Sequence, residues 1–100
     1  MNFPKFIVED DCLILAKCTY HKQLARDKEN VVGGGWFEYD SENNVFILSK
    51  TSGDFGKAKF EDIKKCIDLG NMFFNSRRTR RIKKTTKFLY DTGSTKIKLN

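Results

Sequence analysis

The sequence predicts an α+β domain in which a mixed, mostly antiparallel sheet of about five or six strands is covered by one main helix, about residues 59–69. Three observations carry this. Apolar residues in the first half of the chain fall in short runs or alternate with polar ones, the pattern of buried and half-buried strands. One later segment switches to helical spacing. Clusters of Asp, Asn, Ser and Gly separate these stretches and suit tight connections. At 100 residues there is room for one core, so residues 1–100 are expected to form a single domain with a basic C-terminal segment, 76–100.

The first strand centres on Phe6-Ile7-Val8 and ends at the acidic turn Glu9-Asp10-Asp11. Residues 12–20 are too continuously apolar for a surface strand, which predicts a place inside the sheet. Residues 21–30 carry charged and amide side chains and read as a loop or a short solvated helical turn. Residues 31–39 form the second long strand. Val45–Ser49 returns antiparallel to it across Asp40-Ser41-Glu42-Asn43-Asn44, a cluster whose side chains bond their own backbone. Phe60, Ile63, Cys66 and Ile67 then recur at three and four residues, with acids and lysines on the opposite side, and Gly70 supplies the left-handed residue that ends a helix. Met72-Phe73-Phe74 reads as a short strand. Residues 85–90 and 95–99 alternate with period two around Asp91-Thr92-Gly93-Ser94, a terminal hairpin with one wet face.

Thirty-nine per cent of residues are apolar and 13 are aromatic, which favours a folded domain over disorder. No run of about 18 apolar residues exists to span a membrane. The start, Met1-Asn2-Phe3-Pro4-Lys5, lacks the basic and apolar blocks of a signal peptide, so a cytoplasmic protein is expected. Cys12, Cys18 and Cys66 are odd in number and lie in apolar-patterned segments, as free buried thiols do in a reducing compartment. A metal site is not expected, because His21 is the single histidine and no Cys-x-x-Cys pair exists; no cofactor motif is present either.

The formal net charge of +6 is unevenly placed. Residues 1–70 hold ten Lys/Arg against twelve Asp/Glu, a net of −2, whereas residues 71–100 hold nine Lys/Arg against Asp91 alone, a net of +8. The centre of that charge is Arg77, Arg78, Arg80, Arg81, Lys83 and Lys84, with Lys87 just beyond. Uncompensated repulsion of this kind is relieved by a polyanion or an acidic protein surface, and the flanking Phe73, Phe74, Phe88 and Tyr90 could stack on unpaired bases or serve the core. The alternative is a solvated face or a disordered segment.

Gly33, Gly34 and Gly35 interrupt a β-prone run and give up side-chain packing, which implies a bulge, a close backbone or an anion beside them. Ser52-Gly53-Asp54-Phe55-Gly56 reads either as a turn with Phe55 plugging the core or as an oxyanion nest built on Ser52 and Gly53. From Gly33 to about residue 70 the chain resembles the phosphohistidine phosphatase (Janus/Ocnus) family, over residues about 31–70 only. In that family a Gly-Gly-Gly-Arg strand, a polar turn and an apolar strand precede a Tyr-Gly-Tyr-Ser-x-x-Tyr-Gly segment and a helix. Here Gly33-Gly34-Gly35 and Ser52-x-x-Phe55-Gly56 fall at that spacing.

The resemblance implies Ser52 beside a phosphate and His21, which follows Tyr20 as the family's catalytic histidine follows a tyrosine, as catalytic residue; the amides of Gly53, Gly33, Gly34 and Gly35 are the further anion donors that the residues themselves offer. Two departures weigh against carrying the activity over. Trp36 stands where the family has its phosphate-binding arginine, and eleven residues between His21 and Gly33 leave the family's intervening helix shortened or absent. The sequence therefore favours a small non-catalytic binding or regulatory protein whose basic segment contacts nucleic acid or an acidic protein. The alternatives are a phosphoryl hydrolase using His21, or a phage-type inhibitor of a host protein. No membrane partner is expected.

Overall fold

Two acidic residues begin the architecture. In the computed structural model, which describes residues 2–75 and 77–100, Asp10 and Asp11 both adopt positive φ (50° and 62°), the backbone of a two-residue hairpin turn. Met1 and Ser76, the latter the first residue of the basic segment, lie outside the described residues. The turn joins β1 (Phe3–Glu9) to β2 (Cys12–Cys18) in antiparallel register, Glu9 opposite Cys12. β1 also pairs antiparallel with β3 (Val31–Asp40), with a register shift at Val8/Glu9. Flanked on both sides, β1 buries Phe6, Ile7 and Val8 completely or nearly so.

β3 turns back into β4 (Val45–Ser49), antiparallel with Trp36 opposite Ser49, as the sequence implies. Asp40 makes the turn: its carboxylate accepts from the Glu42 and Asn43 amides and from Asn43 Nδ2. The amphipathic segment forms α1 (Phe60–Asp68), which buries Ile63, Cys66 and Ile67 and ends at Gly70 with φ 74°. Beyond it, β5 (Met72–Phe74) runs parallel to β2, β6 (Lys87–Asp91) parallel to β4, and β7 (Lys96–Lys98) antiparallel to β6. The order across the sheet is β5-β2-β1-β3-β4-β6-β7.

The fold class differs from the expected α+β arrangement of five or six strands covered by one main helix. The molecule is a seven-stranded sheet curled into a half-barrel, 45% strand against 16% helical, with one short helix. The reason is geometric. Seven strands span roughly 29 Å across a flat sheet, and one helix about 10 Å wide cannot roof that width. α1 packs on β1 and β2. The sheet closes the rest of the core upon itself. Phe74 of β5 lies three places from β3, about 14 Å in a flat sheet, yet its ring meets Phe37 of β3 at 6.1 Å and Phe46 of β4 at 6.4 Å. Phe46 stacks in turn on Phe88 at 5.3 Å.

This inner core also holds Phe6, Leu13, Leu15, Leu48, Met72 and Leu99. A smaller cluster, Ile7, Ile14, Cys18 and Leu24, covers the opposite face of β1 and β2. Leu24 reaches it from a 3₁₀ turn, His21–Leu24, which is followed by a second, Lys28–Asn30. The segment expected to be a solvated turn is thus anchored at both His21 and Leu24.

Candidate polyanion interface

The glycine run, Ser52 and His21 do come together, and they do so as packing. A Cβ on Gly33 would lie 2.6 Å from Ala58 Cα; one on Gly34 would lie 2.5 Å from the Phe6 carbonyl, 3.2 Å from His21 Cδ2 and 3.3 Å from Ser52 Cβ. One on Gly35 would collide with the Ser49 carbonyl. Neighbouring backbone and buried side chains, in other words, take up the room. The Gly34 amide donates to the Gly56 carbonyl (3.0 Å), and the Ser52 amide to the Gly34 carbonyl (3.1 Å). Ser52 Oγ accepts from the Asp54 and Phe55 amides at 3.1 and 3.0 Å and so closes its own turn, while Gly53 stands at the exposed tip.

His21 is 3% exposed, and its Nε2 lies 2.7 Å from the Gly35 carbonyl oxygen, to which it donates. Burial lowers its pKa from 6.5; the Gly35 contact opposes that shift, Lys5 adds to it and Asp54 opposes it. The ring is therefore held as a neutral donor against a carbonyl. Beside it, Lys5 is buried, donating to the Thr19 carbonyl, with its ammonium 5.2 Å from the centre of the Trp36 ring. Trp36 also faces Lys50 at 5.5 Å, so the position at which the resembled family has an arginine is a tryptophan between two lysines.

One ion pair among the described residues ties the basic segment to the platform. Arg78, at φ 58°, turns inward and its Nη2 reaches Glu9 Oε1 at 2.7 Å, with side-chain exposures of 10% and 2%. Glu9 accepts as well from the Arg26 and Asp27 amides, at 2.9 and 3.0 Å. Arg78 is thus neutralised by the platform, which removes it from the seven residues expected to meet a polyanion. Arg77, Arg80, Arg81, Lys83, Lys84 and Lys87 are exposed, and none forms a salt bridge among the described residues.

Residues 80–82 then run beside β5 as a short antiparallel rung: the Phe74 amide donates to the Arg80 carbonyl and the Ile82 amide to the Met72 carbonyl, both at 2.8 Å. This ladder sets where the arginines go. Arg80 lies over the Phe74 ring (5.9 Å), and Arg81 lies over Phe73 (4.9 Å) while donating to the Gly70 carbonyl at the C-terminal end of α1.

Between this rung and the end of the β3–β4 hairpin opens a cleft of about 310 Å³, lined by Tyr39, Phe46, Phe74, Arg80, Ile82 and Thr86 among others. Tyr39 is 48% exposed, packs at a tilt on Phe46 with ring centroids 4.5 Å apart, and donates its hydroxyl to Asn44 Oδ1. A neighbouring groove of about 610 Å³ that includes Lys17, Phe37 and Glu38 shares Tyr39 and Phe74 with it. A further cleft at Lys50, Lys57 and Tyr90 carries Glu38 and Asp91 as well, and is nearly balanced in charge.

Of the aromatics flanking the cluster in sequence, Phe74 alone lines this cleft; Phe88 and Tyr90 are core. Tyr39 and Phe46 were not among the residues the sequence singled out. Their signal was available in the period of β3, which puts Tyr39 in phase with buried Phe37 but at the strand's open end. Among the described residues no group of three His, Cys, Asp or Glu side chains is arranged to hold a metal ion, and no helix is long and apolar enough to cross a membrane.

Fold and site together define a curled-sheet platform that presents a basic strap beside an aromatic cleft. No family model, curated protein or solved structure matches the chain, and nothing links it to the phosphohistidine phosphatase family.

Proposed function

We propose that this is a non-catalytic binding protein whose basic segment grips nucleic acid. The observation that carries the reading is the split within the cluster. One arginine, Arg78, is spent on fastening the strap to Glu9, and six cations remain exposed with no carboxylate bound to them among the described residues. Like charges held this close on a folded surface repel one another until an anion answers them. Aromatic rings in the adjoining cleft favour nucleic acid over an acidic protein surface, since bases present π-faces and carboxylate side chains do not.

Hydrolysis by His21 finds less support. Its Nε2 is committed to the Gly35 carbonyl, the Ser52 hydroxyl to two amides, and the glycine run to close backbone packing. We take the compartment to be the cytoplasm, in keeping with three cysteines that form no disulfide. The test is retention on a polyanion column of a variant with Arg77, Arg80, Arg81, Lys83 and Lys84 changed to Ser and Arg78 kept. Loss of retention with an unchanged circular dichroism spectrum is expected. Full retention would refute the assignment, and binding of a polyglutamate probe in place of an oligonucleotide would redirect it to acidic protein.

A further inference from the structure

Resting on that reading, we infer that the cleft between Tyr39 and the rung at residues 80–82 is a nucleobase site, and that the ligand is single-stranded. The cleft has what a base needs and a duplex does not use. Tyr39 packs one side of its ring on Phe46 at 4.5 Å and is still 48% exposed, so it offers an aromatic surface backed by the core. Its hydroxyl is tied to Asn44, which fixes the ring without blocking it. Phe74 lines the same cleft, and the guanidinium of Arg80 lies over that ring at 5.9 Å, which brings a cation to the cleft where a base would stack on Tyr39.

At about 310 Å³ the space is at the lower end of small-ligand pockets and suits one planar heterocycle. A base paired inside a duplex cannot enter such a recess without being unstacked, whereas an unpaired base can. The surroundings supply cations for the backbone: exposed Lys83 and Lys84 follow Arg80 in the chain, and the neighbouring groove that shares Tyr39 and Phe74 carries Lys17 beside Glu38. The occupant that fits is therefore a short run of unpaired nucleotides, with its backbone along the basic strap and one base against Tyr39.

The experiment is fluorescence anisotropy with a labelled twelve-nucleotide oligothymidylate and, in parallel, a labelled twelve-base-pair duplex, for the intact protein and for Tyr39→Leu. Leucine keeps an apolar side chain against Phe46 and removes the π-face; a thermal melt confirms folding, and Tyr39→Phe serves as the aromatic control. The expected result is a roughly five- to hundred-fold loss of single-strand affinity in Tyr39→Leu, little change in Tyr39→Phe, and unaltered duplex binding. Ring signals of Tyr39 and Phe74 should shift in NMR spectra on adding the oligothymidylate. Equal losses for both probes, or no loss, or unmoved ring signals would overturn the base site while leaving the basic strap as a polyanion binder. If neither probe binds the intact protein, the proposed function fails first, and the site with it.

Discussion

At the scale of single residues, His21 shows how a group with chemical potential is used as a structural part. Its folded pKa lies below the ordinary 6.5, chiefly because burial disfavours the imidazolium. Between the two values the unfolded chain binds more protons than the folded one, so stability rises with pH across that window. The contribution is complete above 6.5 and is lost as pH falls below 6.5 toward the folded value. His21 is the single histidine, so a set of urea melts just below pH 6.5 should show a slope that a His21→Leu variant lacks, whatever that variant's absolute stability. Gly34 is the complementary case. A Cβ there meets the Phe6 carbonyl at 2.5 Å, and the backbone cannot give way as a flexible side chain would. Gly34→Ala should cost about 1–3 kcal/mol in the same melts, whereas a Cβ at Gly53 has nothing within 4 Å and Gly53→Ala should be far milder. Two thiols are held protonated for a related reason: burial pushes Cys66 up to about 12 and raises Cys18.

At the scale of elements, the strap is fastened by Glu9 and Arg78, and the two partners are not equivalent. Glu9 satisfies a guanidinium and two backbone amides, so Glu9→Leu strands all three donors in a partly buried place. Arg78→Met leaves the carboxylate its two amides, and it also removes an Nε that has no partner among the described residues. Chemical denaturation should therefore rank Glu9→Leu as the worse change, at about 3–5 kcal/mol, with Arg78→Met clearly below it. Neither role was legible in the sequence. Glu9 reads as part of an acidic turn, and Arg78 as one of six cations in eight residues, because the pairing joins positions 69 apart. What could be read were elements whose cause is local: the Asp40 turn, the β3–β4 hairpin, the face of α1 bearing Ile63, Cys66 and Ile67, and Gly70 at its end. Parallel pairing of β5 with β2 and of β6 with β4 depends on long connections and leaves no mark in a window of ten residues. The curl of the sheet leaves no local mark for the same reason, and neither does the meeting of Phe74 with Phe37 and Phe46 that it brings about.

At the scale of the molecule, charge is segregated: residues 1–70 sum to −2 and residues 71–100 to +8. If the chain binds a polyanion as proposed, it does so by its basic side, and affinity should fall with salt because binding releases condensed counterions. If all six exposed cations of the strap meet phosphates, the slope of log K against log salt for a single strand should be about −4. Changing Lys83, Lys84 and Lys87 to Ser removes half of them and should bring the slope to about −2. Tyr39→Leu should behave otherwise, lowering affinity by the same factor at every salt concentration, because stacking releases no counterions. The two effects are thus separable in one titration series, slope for the strap and intercept for the cleft. A lysine variant that leaves the slope unchanged would mean that these side chains meet no phosphate, and that the platform holds its partner by shape.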